Sequence, residues 1–172
     1  MRITLDAIKK SGAKAAVAFL LSAAVMLPAG VSSAAEDTMK LIASPASQAK
    51  AAAFVGLMKT NQITVDAVAP ADAAAAKKSN VVVIEGGMDD AAIKPLITEV
   101  AGASEAAALA KAGAKKMIMK ENVWQPGQKV LVFAGSNADA AAAARTENRE
   151  EWMKYFKQWF ELSDGPEGLK GY

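Results

Sequence analysis

The chain has 172 residues, of which 52% are hydrophobic and 22% are charged, and its formal net charge is +2. It contains neither cysteine nor histidine. Disulfide bonds, thiolate catalysis, haem attachment through cysteine, zinc sites built on Cys or His, and Ser-His-Asp triads are therefore all excluded.

The first 35 residues have the layout of a secretory signal peptide. Four basic residues precede an apolar run of thirteen residues at 15–27, and small residues follow it. Ser33 and Ala35 stand three and one residues before the predicted cleavage site, which lies before Glu36. The alternative is an N-terminal membrane anchor, but this run is well short of the roughly 20 residues that span a bilayer. We therefore expect export to the periplasm or the cell surface.

Removal of this leader changes the charge balance. The chain has 20 Lys and Arg and 18 Asp and Glu, of which the leader holds four and one, so the other 137 of the 172 residues carry a net charge of −1. This is not the basic footprint of a nucleic-acid-binding protein, and no nucleic-acid partner is predicted. The length suits one domain, expected at residues 36–162, with a flexible tail at residues 163–172 that contains Gly and Pro.

The first part of this domain predicts a strand, a helix and a second strand. Residues 38–43 form a short apolar strand, Ser44 is a candidate N-cap, and Pro45 fits the first turn of a helix. The helix is expected over residues 46–59. The second strand, at residues 63–68, leads into a short Ala-rich helix. The face of the first helix predicted to lie on the sheet comprises Ala49, Ala53, Phe54, Leu57 and Met58.

The third strand is predicted at residues 80–85 and is expected to end at the glycine pair Gly86 and Gly87. In the helix that follows, Pro95 allows two interpretations. The helix begins just before Pro95, or it begins earlier and is kinked there, at a cost of about 3 kcal/mol. A further helix is expected over residues 104–112.

Two strands in the second half are predicted to form an antiparallel hairpin or to meet at the edge of the sheet. Residues 115–121 alternate in the manner of a strand that is exposed on one face, and residues 130–133 are continuously apolar, as in a strand covered on both faces. The seven residues at 122–128 lead to the stretch that begins at Lys129, and they are too few for a parallel crossover, which takes a dozen or more. The turn and N-cap of an Ala-rich helix follow at Gly135, Ser136 and Asn137.

The C-terminal segment predicts an amphipathic helix rich in aromatic residues. Asn148 and Glu151 have the spacing of an N-cap and its partner in the first turn. The apolar face is either a core face or a docking surface for a partner chain, because Trp and Tyr dominate interface hot spots. Membrane-surface binding is disfavoured because the polar face mixes acids with bases. The candidate partner-binding residues are Trp124, Trp152, Tyr155, Phe156, Trp159 and Phe160.

Glycine turns at two predicted strand ends are candidate ligand-binding elements. Ligands of open α/β sheets bind outside the carboxyl ends of strands, and helix N-termini favour anions. Ordinary turns and caps are the alternative explanation, because no GxGxxG or GxxxxGKS motif is present. Asp89 and Asp90 lack EF-hand spacing, so no metal or cofactor is predicted. The candidate ligand-binding residues are Gly86, Gly87, Gly135, Ser136 and Asn137.

These elements predict a three-layer α/β fold. We expect a mixed, mainly parallel sheet of about five strands with helices on both faces, and a C-terminal aromatic amphipathic helix.

The order of motifs between residues 81 and 145 resembles a known family. VVVIEGG is followed by a helix with a Pro-Leu pair and then by ENVWQPGQKVLVFAGSNADAAAAAR. This order is similar to the α/β domain of archaeal surface-layer (S-layer) proteins and related exported proteins. Met88 stands where that family is expected to carry proline. The matching positions are Gly86, Gly87, Asn122, Trp124, Pro126, Gly127, Ala134, Gly135 and Asp139.

The resemblance implies a non-catalytic, extracytoplasmic structural or assembly role. The leading hypothesis is an exported, non-enzymatic structural or protein-binding module with a protein partner or self-assembly, and with no membrane span once the leader is removed. The alternative is a periplasmic protein that binds a small ligand or an anion through its glycine turns. An enzyme that uses carboxylates or lysines is the third hypothesis.

Overall fold

The computed structural model of the protein describes residues 38–162. The predicted leader at residues 1–35, its cleavage site and the predicted tail at residues 163–172 lie outside the described residues. The described residues form a five-stranded mixed sheet with helices on both faces, which confirms the predicted α/β fold.

The sheet is mainly parallel, as predicted. The order across the sheet is β2-β1-β3-β5-β4, and every neighbouring pair is parallel except the antiparallel pair of β4 and β5. The short connection between β4 and β5 therefore forms a hairpin, as expected. The strands are β1 (Thr38–Ala43), β2 (Thr64–Val68), β3 (Val81–Gly87), β4 (Lys115–Glu121) and β5 (Lys129–Gly135).

Seven α-helices are present among the described residues, and a short 3-10 turn at Pro70–Asp72 precedes the third. They are α1 (Pro45–Lys50), α2 (Ala52–Thr60), α3 (Ala73–Ala76), α4 (Lys94–Ala101), α5 (Ala103–Leu109), α6 (Ala138–Glu147) and α7 (Arg149–Trp159).

Two apolar clusters fill the space between the layers. Alternate residues of β3 point to opposite faces, so that Val83 joins the first cluster and Val82 the second. Side chains of α2 and α7 complete the first cluster, and side chains of α3, α4 and α5 complete the second. Each face of the sheet is therefore covered, which is the arrangement that a continuously apolar strand requires.

The helix expected over residues 46–59 is two helices, α1 and α2, which meet at Ala51. The Ala51 amide N–H donates to the carbonyls of both Ser47 and Gln48, at 2.9 and 3.1 Å, which tightens the turn. This local tightening shifts the buried face. Ala49 and Ala53 are exposed, contrary to prediction, and Ala51 is buried instead.

The helix after β3 begins at Lys94, which places Pro95 in its first turn. The first of the two interpretations of Pro95 is therefore correct. No backbone hydrogen bond is lost to this proline, because amides in the first turn have no partner within the helix.

Candidate functional site

The two predicted glycine turns lie side by side at the carboxyl edge of the sheet. Gly87 of β3 and Gly135 of β5 are paired in the parallel register. The Met88 N–H donates to the Gly135 carbonyl at 2.8 Å, and the Asp89 N–H donates to the Ser136 carbonyl at 3.2 Å. The structure therefore brings the five candidate ligand-binding residues to one edge.

Gly86 and Gly87 are the last two residues of β3, so the strand extends two residues beyond its predicted end at residue 85. A Cβ on Gly86 would lie 2.8 Å from the Ile93 Cγ2 atom, and a Cβ on Gly87 would overlap the backbone of Asn137. Both positions need glycine because the chain packs too closely for a side chain. Close packing accounts for this pair without any ligand.

The second turn leads into α6, and its polar side chains form hydrogen bonds with nearby backbone groups. Asn137 caps α6 as predicted, because its Oδ1 accepts from the Ala140 N–H at 2.9 Å. The Ser136 Oγ accepts from the Gly113 N–H at 3.2 Å. A Cβ on Gly135 would lie 2.6 Å from the carbonyl carbon of Ala140. These three residues are explained by the packing and capping of α6.

A groove of about 240 Å³ lies at this edge, near the ends of β1 and β3. Its polar lining consists of Ser44, Ser47, Asp89 and Asp90, and of the five predicted ligand-binding residues only Gly87 lines it. Two carboxylates at the rim favour a cationic or hydroxyl-rich ligand over an anion. Sequence reasoning missed Ser44 as a site residue because a serine before proline is explained by helix capping, and it missed Ser47 because no motif marks a serine inside a helix.

A buried ion pair ties the sheet to the helices on its first face. The Arg145 Nε donates to the Glu85 Oε2 at 2.9 Å, and its Nη2 donates to the Lys50 carbonyl at 2.8 Å. Glu85 is fully buried, and its Oε1 has no hydrogen-bond partner among the described residues. Burial raises the pKa of the Glu85 carboxyl above its usual value, and the neighbouring Arg145 guanidinium opposes this rise.

A second groove, of about 330 Å³, has Arg145 in its lining but not Glu85. Phe54, Leu57 and Trp152 contribute apolar walls. The Glu85 carboxyl is therefore bonded to Arg145 and does not line this groove. This geometry indicates a structural role for the pair. The sequence signal for Glu85 was an acid at the end of an apolar strand, but its partner lies 60 positions away.

Three of the predicted partner-binding residues are core residues. Trp152, Phe156 and Phe160 are 3%, 0% and 8% exposed. The Phe54 ring lies 5.3 Å from the Trp152 ring and 5.9 Å from the Phe156 ring, between centroids. These three side chains are therefore not available as a contact surface. Of the two interpretations of the aromatic face, core packing is the correct one for them.

Tyr155 and Trp159 are half-buried and form a stacked pair on α7. Their ring centroids are 5.7 Å apart and the rings are inclined by 14°. The Tyr155 hydroxyl donates to the Glu151 Oε1 at 3.1 Å, which fixes its orientation. Both rings pack on the first apolar cluster with part of their surface left open. We call these two residues the aromatic pair.

Trp124 lies in the hairpin loop and packs on the second apolar cluster, whereas the aromatic pair packs on the first. Its Nε1 donates to the Glu99 Oε1 at 2.8 Å, and the Lys77 ammonium lies 5.0 Å from its ring centroid. The hydrogen bond from Lys77, more than that from Trp124, lowers the pKa of Glu99. Trp124 is therefore a half-buried, anchored residue, and the structure does not bring it together with the other aromatic candidates.

No protein-family model, curated protein or solved structure matches this chain. Within residues 38–162, no group of three acidic side chains is close enough to hold a metal ion. No helix in that range is long and apolar enough to cross a membrane. The function is therefore argued from the residues themselves.

Proposed function

We propose that this chain is an exported, non-enzymatic structural or protein-binding module of the cell surface or periplasm. The observation that carries the proposal is the aromatic pair, Tyr155 and Trp159, which is half-exposed on a helix whose other aromatic residues are fixed in the core. Trp and Tyr on a rigid support offer a large contact area at little entropic cost, which is why they dominate protein interfaces.

Three sequence features support the same role. The leader has the pattern of an export signal, the chain contains neither Cys nor His, and the motif order resembles that of S-layer proteins. The buried Glu85 adds a structural argument, because its carboxyl is paired with Arg145. A contact function needs a fixed surface, and this pair joins α6 to β3 through a direct hydrogen bond.

Replacement of both residues of the aromatic pair by alanine should abolish association with the partner and leave the fold intact. The purified chain, mixed with an extract of the envelope of its source cells, should elute at a higher mass in size-exclusion chromatography with light scattering than it does alone. The Tyr155→Ala/Trp159→Ala variant should elute at the mass it has without extract, because its hot-spot rings are gone.

The matched control is Lys154→Ala/Gln158→Ala, which changes two exposed polar residues of the same helix. This control should behave like the unmodified chain. If all three proteins show the same elution in the extract, the aromatic pair is not the contact surface.

The second candidate function is the binding of a small ligand at the carboxyl edge. The observation that favours it is the groove lined by Ser44, Ser47, Asp89 and Asp90, since ligands of α/β sheets collect at such edges. Changes at the aromatic pair leave this lining untouched. Loss of association in that variant would therefore favour the first function over the second.

A further inference from the structure

Within the described part of the chain, the outer edge of β4 has backbone groups without a partner. β4 is the last strand of the sheet, and no strand among residues 38–162 pairs with its other side. The Ser136 N–H donates to the Ala114 carbonyl at 2.8 Å, and the Asn122 N–H donates to the Gln128 carbonyl at 2.9 Å. Because antiparallel bonding alternates, the even-numbered residues of β4 bond to β5. The residues whose N–H and C=O groups point outward are Lys115, Met117, Met119 and Glu121.

This edge is open to another strand. β4 is seven residues long and has neither proline nor glycine within it, so nothing in its backbone prevents pairing. The opposite edge, β2, has five residues with Asp66 at the centre. Antiparallel self-pairing of β2 about that residue would place two carboxylates against each other, which disfavours it.

β4 is complementary to itself in one register. An antiparallel pair centred on Ile118 places Lys115 opposite Glu121 of the second copy, and Met117 opposite Met119 of the second copy. All four residues have outward-facing backbone groups, so each such pair can exchange two backbone hydrogen bonds. Their side chains lie on the first face of the sheet, where the two methionines already pack on the core cluster with part of their surface open.

On the second face, the same register brings Lys116 and Lys120 of the second copy together. Lys116 already has an acidic partner, because its Nζ lies 3.0 Å from the Glu105 Oε2. Lys120 is therefore the cation that opposes this pairing most. Lys115 and Glu121 also have partners within the chain, Glu147 and Lys129, so each would be shared between its internal partner and the second copy. The two opposite-charge pairs, the two methionine pairs and the backbone bonds favour association against the repulsion between the lysines.

We propose that two copies of this chain associate through β4, related by a two-fold axis at Ile118, and thereby join two five-stranded sheets. A two-fold contact uses the same surface on both copies, so it closes as a dimer. This proposal rests on the proposed function and makes it more specific, because it names self-assembly through a strand edge as one of its contacts.

Sedimentation equilibrium of the purified chain tests the dimer. The mass should double as the concentration rises. Lys115→Glu and Glu121→Lys should each weaken the dimer about tenfold, because each turns two attractive cross-strand pairs into repulsive ones. The double exchange Lys115→Glu/Glu121→Lys restores opposite charges and should restore the dimer. Lys120→Glu should strengthen it.

Met119→Pro blocks the edge without the loss of a β4–β5 hydrogen bond, because the Met119 N–H points outward. Its far-ultraviolet circular dichroism should match the unmodified chain, and its mass should stay that of a monomer.

A monomeric mass at every concentration would overturn the proposed dimer. So would a Lys115→Glu/Glu121→Lys variant that dimerises no more tightly than either single variant. Masses that grow beyond a dimer also overturn it, because they indicate open-ended pairing of unlike edges. None of these results bears on the aromatic pair, whose association with envelope extract is measured separately.

Discussion

Replacement of Arg145 by methionine is expected to lower the free energy of unfolding by about 3–5 kcal/mol, because it leaves a buried carboxylate without its partner. Glu85 is fully buried and its Oε1 is already without a hydrogen-bond partner among the described residues, so no other group there replaces the guanidinium. The change also removes the hydrogen bond to the Lys50 carbonyl. Urea denaturation followed by circular dichroism measures the loss.

Two further variants separate this cause from a general loss of packing. Arg149→Met changes an exposed arginine of the same groove and should alter the free energy of unfolding by no more than about 1 kcal/mol, because water screens the interactions of an exposed charge. Glu85→Gln/Arg145→Met removes both charges and should recover much of the stability. Equal losses for Arg145→Met and Arg149→Met would show that the buried pair is not what stabilises this region.

The decrease in the free energy of unfolding caused by Arg145→Met should become smaller as the pH falls. Burial raises the pKa of Glu85, so the folded chain holds this proton more tightly than the unfolded chain. The contribution of this group to stability is therefore full below the unfolded pKa and falls as the pH rises through the folded pKa. Because Arg145 opposes the rise in the pKa of Glu85, its removal raises this pKa further. The pH range between the unfolded and the folded pKa therefore becomes wider. Relative to the unmodified chain, the variant should be closer in stability at about pH 5 than at about pH 8.

Phe156→Ala is expected to cost about 3–5 kcal/mol, because it opens a cavity in the first apolar cluster. The Phe156 ring is fully buried and lies 5.6 Å from the Trp152 ring and 5.8 Å from the Phe160 ring, between centroids. Thermal and urea unfolding of the purified chain measure the effect.

The neighbouring substitution Tyr155→Ala is the matched control. Its ring is half-exposed, so less apolar surface returns to water and the loss should be about 1 kcal/mol. If Phe156→Ala proved as mild as Tyr155→Ala, α7 would not be fixed in the core. The aromatic pair would then lack the rigid support on which its proposed role depends.

The strands and their pairing could be predicted from the sequence because their signals are local. β1, β4 and the hairpin have the predicted bounds, since apolar runs, alternation and a short connection decide them. The end of β3 was missed because a glycine in a strand and a glycine in a turn have the same sequence signal. The tight approach of Asn137, which requires Gly87, depends on contacts distant along the chain.

The hydrogen-bond partner, ion-pair partner and burial of individual side chains could not be predicted from the sequence. Asn148 does precede α7, but its side chain donates to the Ala144 carbonyl at 2.7 Å and forms no capping box. Amphipathic spacing gave the apolar face of α7 without showing that Trp152 and Phe156 face the core and Trp159 only partly does. The pairing of Glu85 with Arg145 links two elements that no local pattern connects.

The aromatic side chains of α7 differ in burial: some pack in the core and others are partly exposed. Trp152 and Phe156 fix the helix to the sheet, and this packing sets the position of the aromatic pair, which is the proposed contact surface.

Intact mass spectrometry of the chain recovered from separated cell fractions tests the proposed exported role most directly. We expect the protein in the periplasmic or cell-surface fraction, with a mass that begins at Glu36 and lacks the 35 residues before it. A full-length chain that still carries those residues and is recovered from the cytoplasm would contradict the exported role.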